Sequence, residues 1–368
     1  MEEIRDVYKC DVVIIGAGVI GLAIAACLSA EYEDVLLIEK EKSSGQHTSS
    51  RNSEVIHSGI YYPSDSLKAK LCVKGNFLLY EFLKKHNIPH KKCGKLIVAC
   101  SKEEEKVLED LQSKAINNGV LEVRLISAAQ IKEYEPNIKA SKALLVESTG
   151  IVDTHSLMKK FEQICIDNEV VISYNTEIND INFKNEFYEL TTTHNDVIVK
   201  ASIVVNAAGL WSDQIAKMVG LQKCQLYWCK GEYYKTTRYK KMKKLVYPVP
   251  DPAGKYLGIH TVIDLDGNLS FGPNAYYVDE LNYDLDETHK QQFYEAINRY
   301  LEVDYEDLQP SMTGIRPKAQ SPDASFADFL IKNEAQSGYN NFINLVGIES
   351  PGLTSCLAIA NYVKEIIN

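Results

Sequence analysis

Residues 11–40 read DVVIIGAGVIGLAIAACLSAEYEDVLLIEK, and this stretch decides the fold. The β-branched run at 12–15 carries no charge and reads as a strand buried on both faces. Gly16, Gly18 and Gly21 follow in G-x-G-x-x-G spacing, then small and branched residues of helical character to about Ala30. A second apolar run, 35–38, ends on Glu39. Gly16 permits the tight turn, Gly18 lets backbone approach a pyrophosphate, and Gly21 lets the helix pack close on the strand. The phosphate charge then faces unpaired N–H groups at the helix N-terminus. Glu39 is placed to take both hydroxyls of an adenosine ribose. The motif alone is weak evidence, but a strand before it, a helix after it and an acid behind it make a dinucleotide site the expected reading. The stretch is short for a membrane span and interrupted by three glycines. Glu2 and Glu3 precede it where a signal peptide would be basic.

The composition is that of a soluble globular protein: 45% hydrophobic and 24% charged over 368 residues, long enough for more than one domain. A net charge of −10 argues against nucleic acid as a partner. The nine cysteines include no C-x-x-C pair and no cluster at zinc-ligand spacing, so no metal site is expected. They read as reduced, mostly buried thiols in a cytosol-like compartment.

The polar loop 43–63 follows Glu39 directly, where its hydroxyls and N–H groups can coat a pyrophosphate; His57 lies within it. Helices are expected at 64–88, just after 101 and at 154–168, strands at 94–101 and 203–205, and the apolar run ALLVE with the turn STGIVD over 143–153. The small-residue turn Asn206–Gly209 leads into a helix over 210–218. Residues 222–310, rich in Tyr and turn signals, read as a separate antiparallel sheet forming a lid. Lys235, Arg238 and the lysines at 240, 241, 243 and 244 form a basic patch, read as a solvated hairpin tip with at most peripheral contact to anionic lipid. Strands at 328–331 and 341–347 precede a loop and a C-terminal amphipathic helix, whose N-terminus at Leu353–Thr354 can turn its positive end to a bound cofactor.

Taken together, SSRNSEVIHSGIYYPSDSLKAKLCVKG, CGKLIVA, STGIVD, NAAGLWSD, KGEYY, YPVPDPAGKYLGIH, FGPNA, TGIRPK and GIESPGLTSCLAIA resemble FAD-dependent oxidoreductases of the D-amino-acid oxidase superfamily. Within it the chain is most similar to L-2-hydroxyglutarate dehydrogenases and oxidases and their bacterial relatives. The resemblance covers nearly the whole chain. It implies an α/β fold of mixed α+β character: a split Rossmann-like FAD-binding domain (1–75, 145–220 and 311–368) with an inserted antiparallel or mixed-sheet substrate domain (76–144 and 221–310). It also implies FAD held by Gly16, Gly18, Gly21, Glu39 and Lys40, and by Thr48, Ser49, Ser50, Arg51, Asn52 and Ser53. Further contacts are implied from Ile178, Ala207, Gly209 and Ile315, with Gly352, Leu353 and Thr354 at the flavin. Arg316 is the position that grips a substrate carboxylate in this superfamily. The loop IESPGLTS departs from the mammalian pattern.

The residues themselves support a mechanism. One G-x-G-x-x-G means one dinucleotide, so electrons come from a small carboxylate substrate. Arg316 has the planar guanidinium that binds a carboxylate bidentately. His57 is the expected acceptor of the hydroxyl proton of a 2-hydroxy acid, with L-2-hydroxyglutarate the expected substrate. His260, Lys230 and Tyr62 are candidates for its other polar groups, and Lys230 with His260 for a second carboxylate. The alternative is an amine oxidoreductase of the glycine or sarcosine oxidase kind. The electron acceptor is expected to be oxygen, quinone or a carrier protein, and the location cytoplasmic, with peripheral contact at the inner membrane face as its limit.

Overall fold

The computed structural model describes residues 6–194, 197–239, 242–250 and 258–367. Glu2, Glu3, Lys240, Lys241 and residues 251–257 of the YPVPDPAGKYLGIH motif lie outside them.

The glycine-rich stretch sits at the centre of an eight-stranded sheet. Asp6–Ile15 runs parallel to Val35–Ile38 on one side and Val197–Asn206 on the other. Val171–Ser173 extends the sheet beyond Val35–Ile38, and Phe342–Val346 lies parallel to the end of Val197–Asn206. The first half of that same edge is covered instead by the antiparallel hairpin Ile178–Lys184/Phe187–Thr192. The first strand begins earlier than its apolar run because pairing with Val197–Asn206 carries it back to Asp6.

Only the end of that strand is core: Val12, Val13 and Ile14 have no exposed surface. One face of the sheet packs on helices Val19–Leu28, Leu67–Lys85, Thr154–Asp167 and Gly352–Ile366. Ile215 and Val219 of helix Ser212–Val219 pack on the other face. Parallel strands feeding helices bring their carboxyl ends, Ile15, Ile38, Asn206 and Val346, to one edge, where such sheets bind ligands.

The substrate side differs from the single antiparallel lid expected over 222–310. Tyr227–Thr236 does centre an antiparallel sheet with Gln309–Lys318, Leu269–Gly272 and Tyr276–Val278. Leu245–Pro248, however, leaves it and lies parallel to Lys95–Val98, within a second sheet that includes Lys142–Val146 and Val123–Ser127. The region also holds helix Lys290–Asn298, which buries Phe293 and Ile297 one turn apart. Among the described residues no helix is long and apolar enough to cross a membrane.

Candidate active site

The nucleotide end is built from close approaches. Gly16 has φ +103°, and a Cβ on it would stand 2.6 Å from the Ala207 carbonyl oxygen. A Cβ on Gly21 would stand 1.8 Å from the Gly16 oxygen, so Gly21 acts through packing, without lining a cavity. Helix Val19–Leu28 starts at Gly18 with no side-chain cap on the Gly18 position, which leaves first-turn donors for an anion. Ser49 Oγ accepts from Val19 N–H at 3.0 Å, bringing the polar loop to that terminus. Glu39 takes the Ala17 N–H at 2.7 Å and the Glu41 N–H at 2.9 Å, so its carboxylate is fixed beside the glycine turn.

A cavity of about 120 Å³ opens here, bordered by Gly16, Glu39, Lys40, Thr176 and Ile178. Trp211, which the sequence reading passed over, forms its far wall, with Lys40 Nζ 3.1 Å from its ring centroid and His47 edge-on at 4.7 Å. Gly18, Thr48, Ser49, Ala207 and Gly209 border this cavity and a larger one of about 580 Å³, making one continuous groove. An acid fixed beside a helix N-terminus that Ser49 caps only at Val19, with an aromatic wall beyond, fits a dinucleotide.

The polar loop is held against the strand that carries Arg316. Thr48 Oγ1 donates to the Ile315 carbonyl at 3.0 Å, and a Cβ on Gly314 would come 2.2 Å from the Arg51 carbonyl oxygen. Asn52 donates to Ser49 O at 2.8 Å, Ser53 Oγ pairs with Tyr233 Oη at 2.8 Å, and the Arg51 guanidinium lies 4.2 Å from the Tyr283 ring. Arg51, Asn52, Ser53, Ile315, Gly352 and Leu353 border the large cavity. Ser50 is turned to the Gly45 carbonyl, and Thr354 is buried. The Thr354 Oγ1 accepts the His57 N–H at 2.9 Å and donates to Val55 O, while Asn76 donates to His57 O at 2.8 Å. His57 is thus clamped through its backbone, leaving its ring free to face the cavity.

His57, Tyr62, His260 and Arg316 all border the large cavity. Arg316 donates to Cys229 Sγ at 3.4 Å and to Asn274 O at 3.2 Å. Neither hydrogen-bond partner is a carboxylate, although the Glu349 charge also acts on the group, so the guanidinium keeps donors for a ligand. Burial, followed by the nearby charge of Lys95 and then His260, pushes His57 down to about 3. Burial likewise lowers His260 to about 3, with Lys95 and Arg316 adding to it against a hydrogen bond to Thr261 O. Both imidazoles are neutral at physiological pH, and a neutral ring can accept a proton. Burial also raises the Tyr62 phenol well above its ordinary value, so it remains a donor.

Lys230 stands apart from this group. On Tyr227–Thr236, Gly231 and Tyr233 border the cavity, so strand alternation turns Lys230 and Glu232 to the opposite face. There Lys230 Nζ donates to the Asp284 carbonyl, and Glu232 meets His289 and Asn274. The expectation that Lys230 contacts substrate does not match this placement.

Sequence reasoning missed two other groups of basic residues. Lys68 and Lys318 border the cavity and share the Glu349 carboxylate, at 3.0 and 3.5 Å. Lys95 begins the apolar strand Lys95–Ala99 and is fully buried, with Nζ 4.7 Å from the Tyr61 ring centroid and 4.6 Å from that of Tyr247. A lysine opening an apolar run reads as a surface residue at a strand end, so only the assembled packing shows it.

The chain is similar to known proteins in sequence and fold. The family described as FAD dependent oxidoreductase matches residues 11–366. The mitochondrial L-2-hydroxyglutarate dehydrogenase of Arabidopsis thaliana is 37% identical, over 97% of this chain and 83% of that protein. A glycerol 3-phosphate dehydrogenase of Caloramator mitchellensis is 33% identical, over 97% of this chain and 73% of that protein. Among solved structures, L-alpha-glycerophosphate oxidase of Mycoplasma pneumoniae with FAD bound superposes with a TM-score of 0.88 at 27% identity, covering 98% of this chain and 95% of that one.

Proposed function

The chain belongs to the family of FAD-dependent oxidoreductases, and from that premise we propose that it oxidises L-2-hydroxyglutarate, a dicarboxylic 2-hydroxy acid, to the 2-oxo acid. FAD, when bound, supplies the acceptor for the hydride equivalent leaving the substrate carbon. The observation that carries the reading is a guanidinium whose hydrogen bonds go to a sulfur and a backbone carbonyl, in the same cavity as a neutral, backbone-clamped imidazole.

In this reading Arg316 holds the carboxylate next to the hydroxyl, and a ring nitrogen of His57 takes the hydroxyl proton. The anionic substrate offsets the burial and cationic neighbours that depress His57, so the ring becomes basic when it is needed. Tyr62 and His260 border the remaining space and offer polar contacts. Residues 1–75, 145–220 and 311–368 hold the cofactor, and 76–144 and 221–310 close the substrate side. Electrons then pass to oxygen, a quinone or a carrier protein, in a cytoplasmic setting with at most peripheral membrane contact.

A second reading, glycerol 3-phosphate oxidation, is favoured by Lys68 and Lys318 beside Arg316. Three cations there face the single carboxylate of Glu349, as a phosphate would require. The amine-oxidase alternative has support from fold alone: glycine oxidase of Geobacillus kaustophilus superposes with a TM-score of 0.83 at 19% identity.

The test is anaerobic titration of the yellow holoenzyme with L- and D-2-hydroxyglutarate, lactate, malate, glycine, sarcosine and glycerol 3-phosphate. Bleaching by L-2-hydroxyglutarate ahead of the others is expected. Preferential bleaching by glycerol 3-phosphate, or by glycine or sarcosine with release of ammonia or methylamine, overturns the proposal.

A further inference from the structure

Three buried polar atoms without a hydrogen-bond partner converge on one wall of the large cavity: Lys95 Nζ, Tyr61 Oη and Tyr247 Oη. An ammonium brings three donors, and leaving such groups unpaired away from water is costly, so folded proteins rarely keep them without a reason. Lys95 has no exposed surface. Its Nζ lies against the rings of Tyr61 and Tyr247, both of which border the cavity while Lys95 itself does not. Register explains the arrangement. Leu245 pairs with Lys95 and Tyr247 with Ile97 in a parallel ladder, so Lys95 and Tyr247 project from the same face of the sheet. Tyr247 stacks on His260, ring centroids 3.7 Å apart and planes 8° from parallel, and Arg316 is close enough to His260 for its charge to be felt there. A row of side chains therefore runs from Arg316 in the cavity through His260 and Tyr247 to Lys95, which lies behind the wall.

We propose that Tyr61, Tyr247 and Lys95 form a subsite for the second carboxylate of a dicarboxylate substrate, the two phenol hydroxyls donating to it and the lysine supplying its countercharge. The proposal rests on the reading of the cavity as a 2-hydroxy-acid site. An ammonium against a ring face draws electron density from the phenol and strengthens its hydroxyl as a donor. Lys95 thus fills the place that sequence alone had given to Lys230. Its charge is conditional: burial pushes it down to about 7, and Cys72 acts weakly in the opposite direction. The groups facing it are Tyr61 and His57 from the polar loop, Cys72 from helix Leu67–Lys85, Tyr247, and His260 from strand His260–Ile263. Both histidines are neutral throughout the range in which Lys95 titrates. A dicarboxylate should therefore bind best below pH about 7 and lose affinity as pH rises above it, by up to about tenfold per unit for a single required proton.

The experiment uses the FAD-loaded protein and two unreactive probes of five carbons, glutarate with two carboxylates and pentanoate with one, titrated by their perturbation of the flavin spectrum. Wild type is expected to bind glutarate about 10- to 100-fold more tightly than pentanoate at pH 6, with the difference shrinking above pH 7. Lys95→Met should erase both the preference and its pH slope while leaving pentanoate affinity in place. Tyr61→Phe and Tyr247→Phe keep their rings and the fold, and each should lower the preference about 3- to 10-fold. A wild type that does not distinguish the probes, or a Lys95→Met protein that keeps the preference and its slope, overturns the subsite. If the Lys95 variant does not fold, unchanged preference in both Phe variants overturns it equally. Should glutarate bind as expected while L-2-hydroxyglutarate leaves the flavin oxidised, the subsite stands and the assigned reaction falls.

Discussion

Exchange of His57 for asparagine keeps a polar side chain on the same clamped backbone but removes the proton acceptor. Flavin reduction at saturating substrate should slow about 10²–10⁴-fold in stopped-flow measurements, with flavin content unchanged. Arg316→Ala should cost about 1.5–3 kcal/mol of substrate affinity for each charge-assisted bond lost, read as a raised substrate Kd. The two neutral histidines also set a pH limit on the fold. Each is depressed from the ordinary 6.5 to about 3, so between those values the unfolded chain binds protons that the folded protein excludes. Their contribution to stability is complete above pH 6.5 and is lost as pH falls towards 3. The urea midpoint should fall over that interval, and less steeply in a His57→Asn/His260→Asn protein. That Arg316 and His57 border one cavity could be anticipated because each sits in a distinctive local motif. Lys230 was misjudged and Lys95 overlooked for one reason: which way a strand residue points depends on its partner strands, and pairing is not written locally.

At the scale of elements, two glycines separate cofactor binding from substrate binding. A Cβ on Gly21 would meet the Gly16 carbonyl at 1.8 Å, so Gly21→Ala must push the helix off the strand. That variant should purify with little or no flavin absorbance. A Cβ on Gly231 would lie 2.5 Å from Arg316 Nη2 and 2.8 Å from Pro273 Cβ, so Gly231→Ala displaces the guanidinium and not the nucleotide. It should retain FAD while its KM rises about tenfold, the effect of losing one charge-assisted bond. The strand–turn–helix at 12–28 could be read because its apolar period and glycine spacing are local. Leu245–Pro248 was placed in the wrong sheet because a four-residue apolar strand suits either neighbour, and its parallel pairing with Lys95–Val98 spans about 150 residues of chain. Helix Lys290–Asn298 was missed because only Phe293 and Ile297 of its residues turn inward, too faint a period to read.

At the scale of the molecule, the groove is bordered by side chains from distant parts of the chain, and a ligand that bridges them stabilises only the assembled form. With free FAD at 100 times its Kd, the linkage amounts to about 2.7 kcal/mol. Flavin-stripped protein should melt earlier in calorimetry and regain its transition when FAD is restored. Family resemblance made this split architecture readable, since periodicity alone cannot say which strands converge. Strand Val197–Asn206 shares its outer edge between a hairpin close in sequence and the late strand Phe342–Val346, and Thr354 completes the clamp on His57. During synthesis on the ribosome, the whole polypeptide up to Asn341 therefore waits with a vacant sheet margin and an unfinished pocket. Nascent chains arrested before Thr354 emerges would be apoprotein, and the coenzyme joins a polypeptide that is all but complete.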